Sequence, residues 1–250
     1  PATPLIDLTH AIAPQNVRQA AFVLWTAYRY FPADTVFLVV VDPGVGSARH
    51  PVAVDTAQGR FVGPDNGVFS EVLTELGAWR AVAIEPERLG LPEPSGTFHG
   101  RDVFAPAAAR LACGDPIAAL GSPVEKLVML EPPRLVLTHH TIEGEVIYVD
   151  HFGNAVTSIG RCFWHQEGLI RLQPRLKPDA PSIVFPAAAV VRAGSRTFQG
   201  IARTYTQVPP GQPTPLINSA AQLEIAVNQG NAQQTLGLAV GERVVVEIAT

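Results

Sequence analysis

Helix and strand signals alternate along the first half of this 250-residue chain, and after Leu127 strand signals dominate. That change of texture restricts the fold to an α/β layer followed by a separate β domain. Apolar residues Val17, Ala20, Ala21, Leu24 and Tyr28 recur at helical spacing within residues 16–31. Residues 35–41 form a continuous apolar, largely β-branched run of the kind that fits a strand buried on both faces of a parallel sheet. Residues 50–55, 60–63 and 79–84 predict further short strands, and residues 67–76 and 102–113 predict helices, the second ended by Gly114. Beyond Pro132 and Pro133, short β-type runs at 145–150, 155–159, 169–172, 182–185, 223–227 and 243–248 are separated by turns. They predict an antiparallel, barrel-like domain. The expected organisation is an N-terminal α/β domain with a largely parallel sheet at 1–131, a linker at about 132–139, and a C-terminal β domain at 140–250.

Bulk properties narrow the partners. A net charge of −4 with no basic tract gives no sequence-independent grip on nucleic acid. No apolar run approaches the roughly 18 residues of a membrane span, so no membrane association is expected. Cys113 and Cys162 lie far apart and outside any Cys-x-x-Cys pair, which predicts two reduced thiols in a cytoplasmic protein rather than a zinc site or disulfide framework. No signal peptide is visible, and a chain opening at Pro1 is expected to lack its native start.

Five clusters carry candidate chemistry. Asp42-Pro43-Gly44-Val45-Gly46 follows the apolar run directly, with Arg49 seven residues beyond Asp42. In open α/β sheets this is the rim where ligands bind, although a strand-ending turn with a structural Asp–Arg pair explains the same residues. Asp65 and Asn66 sit before the helix predicted at 67–76, where either would cap it or support the pocket from behind. His99 precedes the Ala-rich helix, whose dipole disfavours imidazolium. The neutral ring would take a proton from water or simply accept a capping bond, with Asp102 capping or pairing with Arg101. Asp150, Phe152 and Asn154 end the first β-domain strand and suit an amino-acid head group, a purine edge or an Asx turn. Asn218-Ser219, with Glu224 and Val227 following, says little alone.

Taken in order, these motifs resemble the S-adenosylmethionine hydrolase family, also called SAM hydroxide adenosyltransferases, relatives of fluorinase and chlorinase. Asp7-Leu8-Thr9-His10 and Pro14-Gln15 fit the same pattern, so the resemblance covers almost the whole chain. It implies hydrolysis of S-adenosylmethionine to adenosine and methionine. It also implies a homotrimer with each site between one subunit's N-domain and its neighbour's C-domain. The implied water-activating set is Asp42, Arg49 and His99. The implied adenosine contacts are Asp42, Asn154, Ser219, Glu224 and Val227, with Asp150 at the methionine ammonium and Phe152 lining the same pocket. No metal and no cofactor are implied. The family pattern also has a first strand ending in Thr-Asp-Phe-Gly, whose Asp grips the ribose hydroxyls; this sequence opens after that unit. Ser158 replaces a usual Asn, and Ala221 a usual Gly. Two other functions use much of the same pattern: a halogenase, and a non-catalytic adenosine-binding protein.

Overall fold

The computed structural model describes residues 3–90, 92–177 and 179–248. The chain divides into two compact units, Pro1–Glu131 and Pro132–Thr250.

In the first unit, α1 (Val17–Ala27) starts where the Asn16 side chain accepts a hydrogen bond from the Gln19 amide, relieving an otherwise orphaned donor. Ala20, Ala21, Leu24 and Trp25 form its buried face. The strands are β1 (Val36–Leu38), β2 (Pro51–Thr56), β3 (Gly59–Pro64), β4 (Arg80–Ile84) and β5 (Gly121–Val124), with α2 (Ser70–Leu76) and α3 (Ala105–Ala112) between them. One sheet runs β1-β3-β2-β4-β5. Val62, Val82, Ile84, Phe104, Ala107 and Leu111 join sheet and α3 in a common core.

Three sequence expectations are corrected here. The sheet is mixed rather than largely parallel: β1 and β3 pair parallel, whereas β3–β2, β2–β4 and β4–β5 pair antiparallel. Only Ala57 and Gln58 separate β2 from β3; two residues close a hairpin but cannot make a crossover. The apolar run at 35–41 is not buried on both faces. It forms the short edge strand β1, and Leu38 and Val40 stand 45% and 43% exposed. Neither Asp65 nor Asn66 caps α2, which begins later, at Ser70, with no side-chain cap. Asn66 instead accepts from the Val68 amide and donates through Nδ2 to the Val41 carbonyl at 2.9 Å, while Asp65 accepts from the Val128 amide.

The second unit contains β6 (Leu135–Leu137), β7 (Thr141–Val149), β8 (Ala155–Gly160), β9 (Cys162–His165), β10 (Leu169–Leu172) and β11 (Ile183–Pro186). It continues with β12 (Val190–Ala193), β13 (Arg196–Gln199), β14 (Pro213–Ile217), β15 (Gln222–Val227), the short helix α4 (Ala232–Leu236) and β16 (Arg243–Glu247). An antiparallel sheet runs β13-β12-β16-β7-β8-β15-β14, with β6 also on β7 and a separate three-stranded sheet β11-β10-β9. Ala202, just past β13, bridges to Leu216 of β14, so the two ends of the large sheet meet and nearly close it into a barrel. Ile142, Val146, Ile159, Leu223, Ile225 and Val244 fill the interior. Every residue of β8 and β15 is buried, including the polar Thr157, Ser158, Gln222 and Glu224. Among the described residues, no helix is long and apolar enough to cross a membrane.

Candidate active site

In the first unit, the end of β1 hands over to a turn that reverses on itself. Ser47 donates from both its amide and its hydroxyl to the Gly44 carbonyl, and Gly46 takes φ +78°. A Cβ on Gly46 would lie 2.7 Å from the Gly96 carbonyl oxygen. This residue therefore supplies both a left-handed backbone and the close approach of the Asp42 loop to the loop that carries His99. Asp102 ties the latter loop back by accepting from the Ser95 amide and from Arg101. The Arg101 guanidinium holds the Asp102 carboxyl far below the usual carboxylate range. His99 itself begins a π-helical turn, Gly100–Phe104, that leads into α3.

The reversal folds Arg49 back onto Asp42. Arg49 Nε donates to Asp42 Oδ1 at 3.0 Å and Nη2 donates to Oδ2, with the two side chains only 9% and 7% exposed. The same Nη2 lies 2.8 Å from His99 Nδ1. A guanidinium has no lone pair to offer, so Nδ1 accepts and the ring proton belongs on Nε2. The Phe104 ring sits 5.2 Å from the guanidinium carbon. Arg49 Nη1 is buried with no hydrogen-bond partner among the described residues. A buried, unpaired cationic donor is costly and marks a place prepared for an acceptor. Asp42 also lines an open cleft of about 420 Å³, together with Pro14, Gln15, Val40 and Val45 among others.

In the second unit, the loop after β7 is a tight Asx turn. Asp150 Oδ1 accepts from the amides of Phe152 and Asn154, and Oδ2 accepts from Asn154 Nδ2 at 2.9 Å. With Nδ2 committed, Asn154 keeps its Oδ1 as an acceptor. Glu224, 3% exposed on β15, accepts from Tyr205 Oη and Asn218 Nδ2, each at 3.0 Å. Burial pushes the Glu224 carboxyl upward, the two donors oppose that, and the nearby Asp150 charge adds to it. Burial and the fields of Glu224 and Asp150 likewise push the Tyr205 phenol up to about 12.

Asp42, Arg49 and His99 are thus brought together, and so are Asp150, Asn154 and Glu224. Phe152 is 73% exposed at the tip of its loop, in ring contact with His151. Ser219 is exposed in the turn between β14 and β15, and Val227 ends β15 with a buried side chain. Three further residues belong to these clusters. Asn218 lay within a motif, but Phe104 and Tyr205 carried no signal. Phe104 reads as one more apolar helix residue, and Tyr205 lies in an aperiodic stretch.

Residues 1–121 match the SAM hydroxide adenosyltransferase N-terminal domain, and residues 144–245 match the C-terminal domain of the same family. The chain is 41% identical over 255 residues to the (R)-S-adenosyl-L-methionine hydrolase of Thermus thermophilus, spanning 96% of this chain and 87% of that one. It is 38% identical over 246 residues to the (R)-S-adenosyl-L-methionine hydrolase of Salinispora tropica, spanning 97% and 86%. A fluorinase of Actinopolyspora mzabensis is more distant, at 29% identity over 184 residues, covering 63% of this chain and 62% of the fluorinase. The crystal structure of an uncharacterized conserved protein from Thermotoga maritima matches with a TM-score of 0.83 and 37% identity, over 98% of this chain and 89% of that one. Domain matches to both units, and relatives aligned along nearly the full length, show that the chain belongs to the SAM hydroxide adenosyltransferase family.

Proposed function

We propose that the chain hydrolyses S-adenosyl-L-methionine to adenosine and L-methionine. The observation that carries this reading is the half-buried Asp42–Arg49–His99 constellation with its unpaired Arg49 Nη1. Water oxygen bonds to the ribose C5′, the C5′–S electron pair returns to sulfur, and one proton passes to the protein. Methionine leaves as a neutral thioether, so departure needs neither an acid nor a cofactor. The chemical task is to prepare the nucleophile. Asp42 accepts a hydrogen bond from the water and orients it, and also reaches the ribose. Arg49 stabilises the developing hydroxide. As an Arg49 N–H turns toward that oxygen, His99 Nδ1 is released to take the proton.

Asn154, Ser219, Glu224 and Val227 hold adenosine in this reading, while Asp150 and Phe152 face the methionine end. Among the described residues, neither Asp150 nor Glu224 has a cationic partner, which suits a substrate carrying sulfonium and ammonium charge. A halogenase is the less favoured activity, because the Asp42 carboxylate would repel a bound halide, whereas water donates to it. Reaction in ¹⁸O-labelled water tests this. The label is expected in the 5′-hydroxyl of adenosine and not in methionine. A 5′-halo-5′-deoxyadenosine product formed in the presence of halide would overturn the reading, as would adenosine lacking the label.

The assembly proposed is a homotrimer in the cytoplasm, each site combining the α/β unit of one subunit with the β unit of its neighbour. In support, water-activating residues occupy one unit and the purine-type residues the other, and the two cysteines are unpaired. Mixing Arg49→Lys chains with Ser219→Trp chains is expected to restore activity that neither has alone. A fully active monomer in sedimentation would refute the shared site.

A further inference from the structure

We infer that Tyr205 is a positioning residue that acts through Glu224, holding this carboxylate as an acceptor for the exocyclic amino group of the purine. The inference rests on the adenosine reading above. It starts from an arrangement that stability alone does not favour. Glu224 is 3% exposed on a strand whose every residue is buried, and among the described residues no cationic side chain pairs with it. Its two hydrogen-bond donors, Tyr205 and Asn218, are neutral, and the second carboxylate Asp150 lies close enough to act on it. A buried acid left without a cation is kept where it has work to do on a ligand.

The fold delivers Tyr205 to this place by a specific route. The Ala202 amide donates to the Pro215 carbonyl at 2.8 Å, and Ala202 bridges to Leu216, whose partner across the ladder is Glu224. The chain then makes a single 3-10 turn, Tyr205–Gln207, pinned by the Arg203 amide donating to Gln207 Oε1. Tyr205 consequently reaches back over β14 to Glu224. The residue remains 41% exposed, so it contributes little to a core and its fixed element is the hydroxyl bond. A carboxylate accepts from an amino group and is mismatched to a purine that carries a carbonyl there.

The groups that set the charge of Glu224 are Tyr205 from the 3-10 turn, Asn218 from the turn before β15, and Asp150 from the end of β7. The Tyr205 bond favours the ionised form. Removing it raises the pH at which Glu224 takes up a proton on acidification, so adenosine affinity should begin to fall at a higher pH.

The experiment titrates adenosine and inosine into wild type, Tyr205→Phe, Glu224→Gln and the double variant, with thermal melts as the check on folding. Tyr205→Phe is expected to weaken adenosine binding roughly tenfold, the scale of a lost bond to a charged group. It should raise KM with little change in kcat, narrow the preference for adenosine over inosine, and move the acid limb of affinity upward. The double variant should bind no more weakly than Glu224→Gln, because the hydroxyl then has no carboxylate to hold. Additive losses, or an unchanged affinity and pH profile in folded Tyr205→Phe while Glu224→Gln is impaired, would overturn the role of Tyr205 alone. Unchanged adenosine affinity in all three variants would overturn the adenosine pocket itself.

Discussion

Arg49→Lys is expected to lower kcat/KM by about 10²–10³-fold, the typical loss when one preorganised donor is removed from a developing oxyanion. Adenosine affinity should change little. Arg49 makes a two-point contact with Asp42, touches His99 Nδ1 and keeps Nη1 free. An ammonium carries the same charge but cannot hold three directions at once from a planar fork. Lysine is the informative replacement because Asp42 keeps a cationic neighbour. Alanine would strand a nearly buried carboxylate, a change of about 3–5 kcal/mol in stability that would confuse catalysis with folding. His99→Asn is expected to reduce turnover by about 10²-fold or more through loss of the proton acceptor. Steady-state turnover set beside adenosine titration decides the matter. Near-normal kcat in both folded variants would refute the roles given to this set.

Gly63→Ala is expected to lose both stability and turnover, although it lies outside the proposed catalytic set. A Cβ at this position would stand 2.3 Å from the Val39 carbonyl oxygen and 3.0 Å from Phe69 Cζ. Gly63 has no unusual backbone angle to protect; its smallness lets β3 approach the segment that runs from β1 into Asp42. Val39 continues that contact by donating to the Val62 carbonyl at 3.0 Å. An added methyl must push this segment outward or displace Phe69. Overpacking of this kind costs about 1–3 kcal/mol, or roughly 2–4 °C in Tm for each kcal/mol in a chain of this size. The displacement passes to Asp42, three residues beyond Val39, so kcat should fall more than the melting shift alone explains. Thermal melts and turnover on the same preparation check it. A variant that melts lower with undiminished kcat would show that β3 supports the fold without positioning the carboxylate.

Much of this site is legible before any folding is considered, because local constraints specify it. An acid placed directly after an apolar run, followed by glycines and then an arginine, has few ways to fold other than back upon itself. The Asp42–Arg49 contact is therefore set within seven residues. His99 ahead of an Ala-rich helix and the Asx turn at Asp150 are similarly short-range arrangements, and Asn16 marks the start of α1 by its own side chain. The break in texture after Leu127 separates the mixed-sheet unit from the barrel-like one for the same reason, since strand and helix periodicities are properties of adjacent residues.

Strand direction is different in kind. Thr35 to Val41 has the composition of a central strand, yet among the described residues its strand pairs on one side, with β3, and which strands pair with it is not decided by its own residues. Asn66 offers an amide that could equally cap α2; only the arrival of Val41 beside it decides otherwise. Ala221 takes φ +60° before the irregular start of β15, a conformation that its own side chain disfavours and its neighbours impose. Tyr205 meets Glu224 nineteen residues away because Ala202 is pinned to β14. By itself, the sequence determined the two textures, the turn that returns Arg49 to Asp42, and the helix start beside His99, since each depends on neighbours along the chain. The tertiary structure alone decided the mixed sheet, the ring under Arg49 and the phenol on Glu224, because those contacts join segments whose meeting depends on how distant strands pair.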